Sequence, residues 1–174
     1  MSQMPMLVSP PPPPPSASVQ RVAVALQQLQ HPHAPQWLAQ EARTAEAAAQ
    51  MLGVQTGQIA KSVIFQRLAD QTAVLVVTAG DRRVDVNRVN ALLGTVGPAR
   101  AAFVKAQTGF AIGGVSPVAH ARPLLCLLDA SLQRFDTLWA AAGHPRAVFC
   151  LQPDDLERIT GAPWAEVAAS EVPA

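Results

Sequence analysis

Lysine is nearly absent from this chain. Its 174 residues include two, Lys61 and Lys105, against eleven arginines. Cysteine is equally scarce. Cys126 and Cys150 sit in the apolar runs LLCLLD and VFCLQ, which suits buried reduced thiols and excludes a disulfide framework. No C-x-x-C or H-E-x-x-H occurs, and His31, His33, His120 and His144 form no ligand spacing, so no resident metal is expected. Walker A and dinucleotide fingerprints are missing too, and no cofactor is expected; GTVG at Gly94 is a turn. No apolar stretch approaches the ~20 residues that span a bilayer, and no basic segment precedes an apolar one at the start. The expected location is the cytoplasm, with no membrane partner. Charged residues make up only 14%, but hydrophobic residues reach 49%, enough for one domain with a sizeable core. The net charge of +1 does not by itself announce a nucleic-acid partner. Charge is uneven, however: Asp81 to Arg122 carries +4 and the remainder −3. That stretch is either a solvated face or a surface for a polyanion.

Prolines crowd one end. Pro10 to Pro15 form an unbroken run that favours polyproline II and cannot enter a helix or central strand. Residues 1–17 are therefore expected to be a tail and 18–174 the domain. Ser18 is placed to cap a helix bearing Val19, Val22, Leu26 and Leu29, ended by His31-Pro32-His33-Ala34-Pro35. Thr44 opens a second helix, with Glu46 in its first turn and Gly53 as a left-handed stop. Ile59–Arg67 and Ala73–Thr78 read as a hairpin, followed by a turn at 79–81 and a short helix over Val84–Leu93. Phe103–Gly109 is ambiguous. FAIGGVSP, residues 110–117, must be a loop. Leu124–Leu128 reads as a buried strand. Ser131 is expected to cap a helix carrying Leu132, Phe135, Leu138 and Trp139 and closed by Gly143. Ala147–Leu151 reads as a strand and Asp154–Thr160 as a helix. This irregular mixture predicts an α+β domain, a mixed β-sheet surrounded by helices, and not a doubly wound parallel fold.

Few residues can carry chemistry. Lys61 lies in IAKSVIF; a lysine in such a strand either snorkels at an edge or enters a polar pocket, where burial lowers its pKa. Gly113 and Gly114 either make an ordinary turn or let backbone N–H groups approach a developing oxyanion. Ser116 lacks the second glycine of a G-x-S-x-G nucleophile elbow. Asp129 either orients Lys61 or caps the helix expected after it.

The order of the segments is more specific than any one of them. TAEAAAQMLGV, QIAKSVIF, VLVVTAGDRRVDVNRV, TGFAIGGVSP, LLCLLDASL, AAG and PDDLERITGA succeed one another. In that order they resemble the YbaK/prolyl-tRNA synthetase-associated editing domain family, from about Ser18 to Ala168. The resemblance implies a free-standing deacylase that hydrolyses the ester of a mischarged aminoacyl-tRNA. The amino acid would be small, and the tRNA would be tRNA-Pro or a relative. It implies catalytic roles for Lys61, Gly113 and Gly114, and places Val115, Pro117, Asp129 and Gly143 at family motif positions that contact substrate. Ser62, where relatives often carry Thr or Asn, and His120, in a segment that replaces the commoner Phe-Gly, are expected to line the amino-acid pocket. Mischarged aminoacyl-tRNA is the implied partner, and an aminoacyl-tRNA synthetase a second candidate. The rival reading is a non-catalytic tRNA- or synthetase-binding module of the same fold.

Overall fold

The computed structural model describes residues 16–169. The proline run and most of the expected 1–17 tail lie outside them, so the proposed boundary rests on the sequence. The first helix, α1 (Ala17–Gln28), begins two residues earlier than expected. Its cap is Ser16, whose hydroxyl accepts from the Val19 N–H at 3.2 Å. Ser18 is helical. A cap of this kind contributes about 1 kcal/mol, so Ser16 belongs to the domain.

Eight strands form one mixed sheet: β1 (Gln36–Trp37), β2 (Ile59–Arg67), β3 (Ala73–Ala79), β4 (Val96–Pro98), β5 (Leu125–Asp129), β6 (Leu138–His144), β7 (Ala147–Leu151) and β8 (Trp164–Ala165). Their spatial order is β1-β7-β6-β2-β3-β5-β8, with β4 on β2. The expected hairpin is β2–β3, antiparallel from Ala60↔Ala79 to Gln66↔Ala73. β3 is buried along its whole length. It lies between β2 and a parallel β5 and is covered on both faces, which explains its continuous apolar run.

The other helices are α2 (Ala45–Leu52), α3 (Val86–Leu93), α4 (Ala101–Thr108) and α5 (Pro153–Thr160). Thr44 caps α2 by accepting from the Ala47 N–H at 3.1 Å, and Gly53 ends it at φ 69°. The ambiguous segment 103–109 is the body of α4 and its left-handed cap, Gly109. Helix α1 packs over β6, and with α5 and the inner faces of β3, β5, β6 and β7 it encloses the main core around Phe110, Phe149, Leu128 and Leu138.

The helix expected after Ser131 does not form. Asp129 caps only a short 3-10 turn, Ala130–Arg134, and Phe135 is already extended at φ −117°, ψ 147°. Residues 138–144 are strand β6. Their alanines favour helix locally, but Leu138, Ala140 and Ala142 alternate into the core and pair with β7 and β2. Tertiary pairing outweighs a preference of a few tenths of a kcal/mol per residue. Gly143 therefore closes no helix. It sits at a bulge in β6 with φ +98°, and a Cβ there would lie 2.9 Å from the Ser18 backbone. Its role is to let α1 approach β6.

Candidate functional site

β2 has two neighbours on one edge. At Ile59 and Ala60 it pairs in parallel with β6, and from Phe65 to Arg67 it pairs with β4. Between these the strands part, and a cavity of about 400 Å³ opens beside Lys61 and Ser62. That volume falls in the ~300–1,000 Å³ range of small-molecule sites. Trp139, Ala140 and Ala141 of β6 form one wall, the 42–46 segment at the start of α2 another, and Gly113 and Val115 of the glycine-rich loop a third. The 42–46 wall is held from outside. Leu38 N–H donates to the Arg146 carbonyl at 2.6 Å, Arg146 Nε returns to the Leu38 carbonyl at 3.0 Å, and Ala42 N–H reaches the Pro145 carbonyl at 3.0 Å.

Successive strand residues face opposite ways. Lys61 follows Ile59, on the α2 side, whereas Ser62 follows Ala60. Both reach the cavity because it opens where the sheet is split. Lys61 is half-buried and makes no hydrogen bond or ion pair with the described residues. Burial lowers its pKa, Glu46 partly restores it, and Arg83 lowers it further. The Ser62 hydroxyl is buried and has no hydrogen-bond partner. A buried hydroxyl left unpaired costs about 1–3 kcal/mol, and a ligand in the cavity can offer it a partner.

The loop holds a correction. Gly114 N–H donates to the Ala111 carbonyl at 3.1 Å, closing the loop's own turn. Of the two backbone donors expected, only that of Gly113 is without a partner among the described residues. Gly114 instead lies against β6, where a Cβ would meet His144 N at 3.0 Å and Gly143 C at 3.1 Å.

The remaining expected residues do not converge on the cavity. Pro117 and His120 border a separate recess behind the loop. His120 Nε2–H donates to the Ser116 carbonyl at 2.7 Å, and burial lowers its pKa. Asp129 is 1% exposed and accepts from Thr78 Oγ1 at 2.8 Å, Ala79 N–H at 3.1 Å and both Ser131 donors. Its capping role, not orientation of Lys61, is what these contacts show. Gly143 is under α1. Cys126 stays a thiol, its pKa pushed up to about 12 by burial, too high for a nucleophile at neutral pH.

Ser116 is fully buried, and its Oγ accepts from the Val118 N–H at 3.2 Å. His120 touches its carbonyl and not its hydroxyl. Ser116→Ala should therefore keep hydrolytic activity within about threefold and lose about 1 kcal/mol of stability with that bond. Mass spectrometry that trapped an acyl-serine would reverse this assignment.

His144, passed over in the sequence as an isolated histidine, is a wall of the cavity. Its Nδ1 accepts from the Arg146 N–H at 3.0 Å, and its ring packs on Trp37 at 5.3 Å between centroids. The neutral ring then carries its proton on Nε2, which has no hydrogen-bond partner among the described residues. Arg43, exposed at the mouth, was also missed. The signal for both is the attachment of the segment from Leu38 to Ala42 to the β6–β7 turn at Pro145 and Arg146, which adjacency in sequence does not reveal.

Within the Arg-rich stretch, Asp81 holds Arg134 at 2.8 Å and Arg82 at 3.8 Å, and Asp85 holds Arg88 at 3.4 Å. Arg83 is exposed and close enough to Lys61 to depress its pKa. Among the described residues, no group of three or more His, Cys, Asp or Glu is placed to hold a metal, and no helix is long and apolar enough to cross a membrane.

Known proteins resemble this chain over the same region. The family model of the aminoacyl-tRNA editing domain matches residues 39–159, which span every wall of the cavity. The chain is 36% identical over 121 residues to the uncharacterized protein YwhH of Bacillus subtilis, covering 67% of this chain and 74% of YwhH. It is 24% identical over 131 residues to EbsC of Enterococcus faecalis, named as a candidate Cys-tRNA(Pro)/Cys-tRNA(Cys) deacylase, covering 74% of this chain and 79% of EbsC. A crystal structure of a candidate trans-editing enzyme for prolyl-tRNA synthetase superposes with a TM-score of 0.84 at 37% identity. It covers 90% of this chain and all of the other.

Proposed function

This chain belongs to the aminoacyl-tRNA editing domain family, and from that premise we propose that it is a trans-editing hydrolase. It cleaves the ester of a small amino acid mischarged on tRNA-Pro or a related tRNA. The observation that carries this reading is the cavity where β2 and β6 part. There a half-buried lysine with no hydrogen bond or ion pair among the described residues shares the wall with a glycine-rich loop, and the one serine hydroxyl on that wall, Ser62 Oγ, is hydrogen-bonded to no base.

An ester is reactive enough to be hydrolysed without a protein nucleophile. Water, helped by the neighbouring ribose hydroxyl, attacks the carbonyl carbon. The bond to the ribose oxygen breaks, and that oxygen takes the proton that water gives up. The protein has to hold the ester in place and stabilise the oxyanion. In this reading the Gly113 N–H faces the oxyanion, and Lys61 holds the terminal phosphate or the ester end. His144, whose backbone lies against Gly114, offers Nε2–H as a further donor on the cavity wall. Arg43, exposed on the cavity wall, and Arg83, exposed and close enough to act on Lys61, meet phosphates of the acceptor end in this reading, a salt-sensitive contribution. Walls of alanine and valine methyls fit a small side chain. A second sieve of this kind is needed because one methylene discriminates by only about 1–3 kcal/mol.

A panel of tRNAs charged with alanine, serine, threonine or cysteine tests the proposal. Hydrolysis of at least one, faster than its spontaneous rate and faster than the correctly charged prolyl-tRNA, is the expected outcome. Binding of the panel without turnover would make the chain a non-catalytic module.

A further inference from the structure

All but one of the charged residues on the cavity wall are basic. Glu46, the second residue of α2, is the single carboxylate there, alongside Arg43 and Lys61. Its place is set by the Thr44 cap, which starts the helix at Ala45 and leaves Glu46 in the first turn. Among the described residues the carboxylate makes no hydrogen bond and no ion pair. It is nevertheless the strongest charge acting to raise the Lys61 pKa, ahead of Asp81 and Asp129. With no ion pair formed within 4.0 Å, Glu46, which is exposed, and the half-buried Lys61 line the same cavity without touching. They present a negative and a positive group to a ligand that enters between them.

We propose that Glu46 receives the α-ammonium group of the substrate, so that the site takes amino-acid esters with a free amine and rejects N-acylated ones. This rests on the deacylase reading. An aminoacyl ester has two polar features one carbon apart: a carbonyl that becomes negative during hydrolysis, and an ammonium group, with an α-amino pKa of roughly 7.7–8.0 in free peptides. A half-buried site must meet both. Lys61 and the Gly113 N–H suit the first, and Glu46 is the group on the wall that suits the second. The α2 N-terminus opposes an ammonium with roughly half a positive charge, but the carboxylate supplies a full negative one, so attraction wins. Acylating the amine removes the charge and adds bulk at the acid. Peptidyl-tRNA and N-formylated aminoacyl-tRNA carry the same 3′ ester and would be spared on this basis.

A bland alternative is that Glu46 only complements the helix dipole or supports Lys61. Glu46→Gln keeps the shape and removes the charge, and kcat/KM for alanyl-tRNA(Pro) and its N-acetyl derivative separates the possibilities. Wild type should prefer the free amine at least about tenfold. Glu46→Gln should slow the free-amine substrate about tenfold and leave the acetylated one unchanged, and Glu46→Asp should recover part of the preference. Equal wild-type rates on both substrates, or equal slowing of both by Glu46→Gln, would overturn the assignment. Titration with the non-hydrolysable 3′-alanylamino-3′-deoxyadenosine and its N-acetyl form supplies a readout without turnover. If wild type hydrolyses no ester but still binds the free-amine analogue selectively through Glu46, the deacylase reading falls and the amine site stands. If it hydrolyses esters and shows no amine preference in either measurement, the amine site falls and deacylation stands. Failure of both turnover and selective binding removes both.

Discussion

Lys61→Ala is expected to lower deacylation at least about tenfold, equivalent to about 1.4 kcal/mol of transition-state stabilisation, without lowering the melting temperature. Both halves of this expectation come from where the lysine sits. It is half-buried and its ammonium makes no hydrogen bond or ion pair with the described residues, so that group is available to a substrate phosphate or carbonyl. Burial lowers its pKa, which means folding disfavours the charged form. A lysine with a lowered folded-state pKa opposes folding while it is charged, and that opposition fades as pH rises through the folded-state value. Removing it at neutral pH therefore relieves a burden on stability. The same shift has a kinetic side: if the charged amine acts, turnover should decline on the alkaline side below the pH at which an ordinary lysine titrates. Lys61→Arg keeps a charge but changes a compact point donor to a planar fork, and should restore activity only in part. Deacylation kinetics with a melting curve on each variant give the answer. Wild-type rates in the alanine variant would take Lys61 out of the mechanism.

A larger loss, about 10²–10³ in rate, is expected for Gly114→Val. The cause differs from a lost donor at that residue, since the Gly114 N–H is already given to Ala111. The new Cβ would stand 3.0–3.1 Å from the backbone of Gly143 and His144, and strand backbone cannot swing aside as a side chain can. The loop must lift off β6, carrying the Gly113 N–H away from the ester, and losing one oxyanion donor costs about that factor. Such overpacking also costs about 1–3 kcal/mol, which should appear as a melting temperature several degrees lower. Gly113→Ala is the companion measurement. Its Cβ would meet nothing nearer than Pro145 Cγ at 4.0 Å, but φ is +93°, so the penalty is backbone strain without a clash. A folded Gly114→Val variant that turns over normally would show that the loop has no part in stabilising the oxyanion.

Much of the fold was legible because its signals are local. Thr44 and Gly53 bracket α2 through hydrogen bonds and a φ value that involve only their own neighbours. The β2–β3 hairpin is announced by two apolar runs and a five-residue connection between them. Failures occur where the decisive partner is distant. Residues 138–144 carry alanines and helical spacing, and they became β6 because Ile59 and Ala60 on one side and β7 on the other offered pairing. Ser18 reads as the cap of α1, but Ser16 caps it and Ser18 lies inside the helix, its backbone close against Gly143.

The site divides along the same line. Motif order alone was sufficient to identify the editing family, and it singled out Lys61, Ser62, Gly113 and Val115, which the fold gathers around one cavity. It could not say that Asp129 would spend its oxygens on Thr78, Ala79 and Ser131, that Gly143 would serve α1, or that Pro117 and His120 would face another recess. Nor could it bring Arg43, Glu46 and His144 to the cavity wall. A cap, a turn or an apolar run is decided by interactions within a few residues, so the sequence determines it directly. A cavity is decided by where two strands stop pairing and by which chain segments are tied across the gap. Those are long-range hydrogen bonds and packing contacts, and only the tertiary structure contains them.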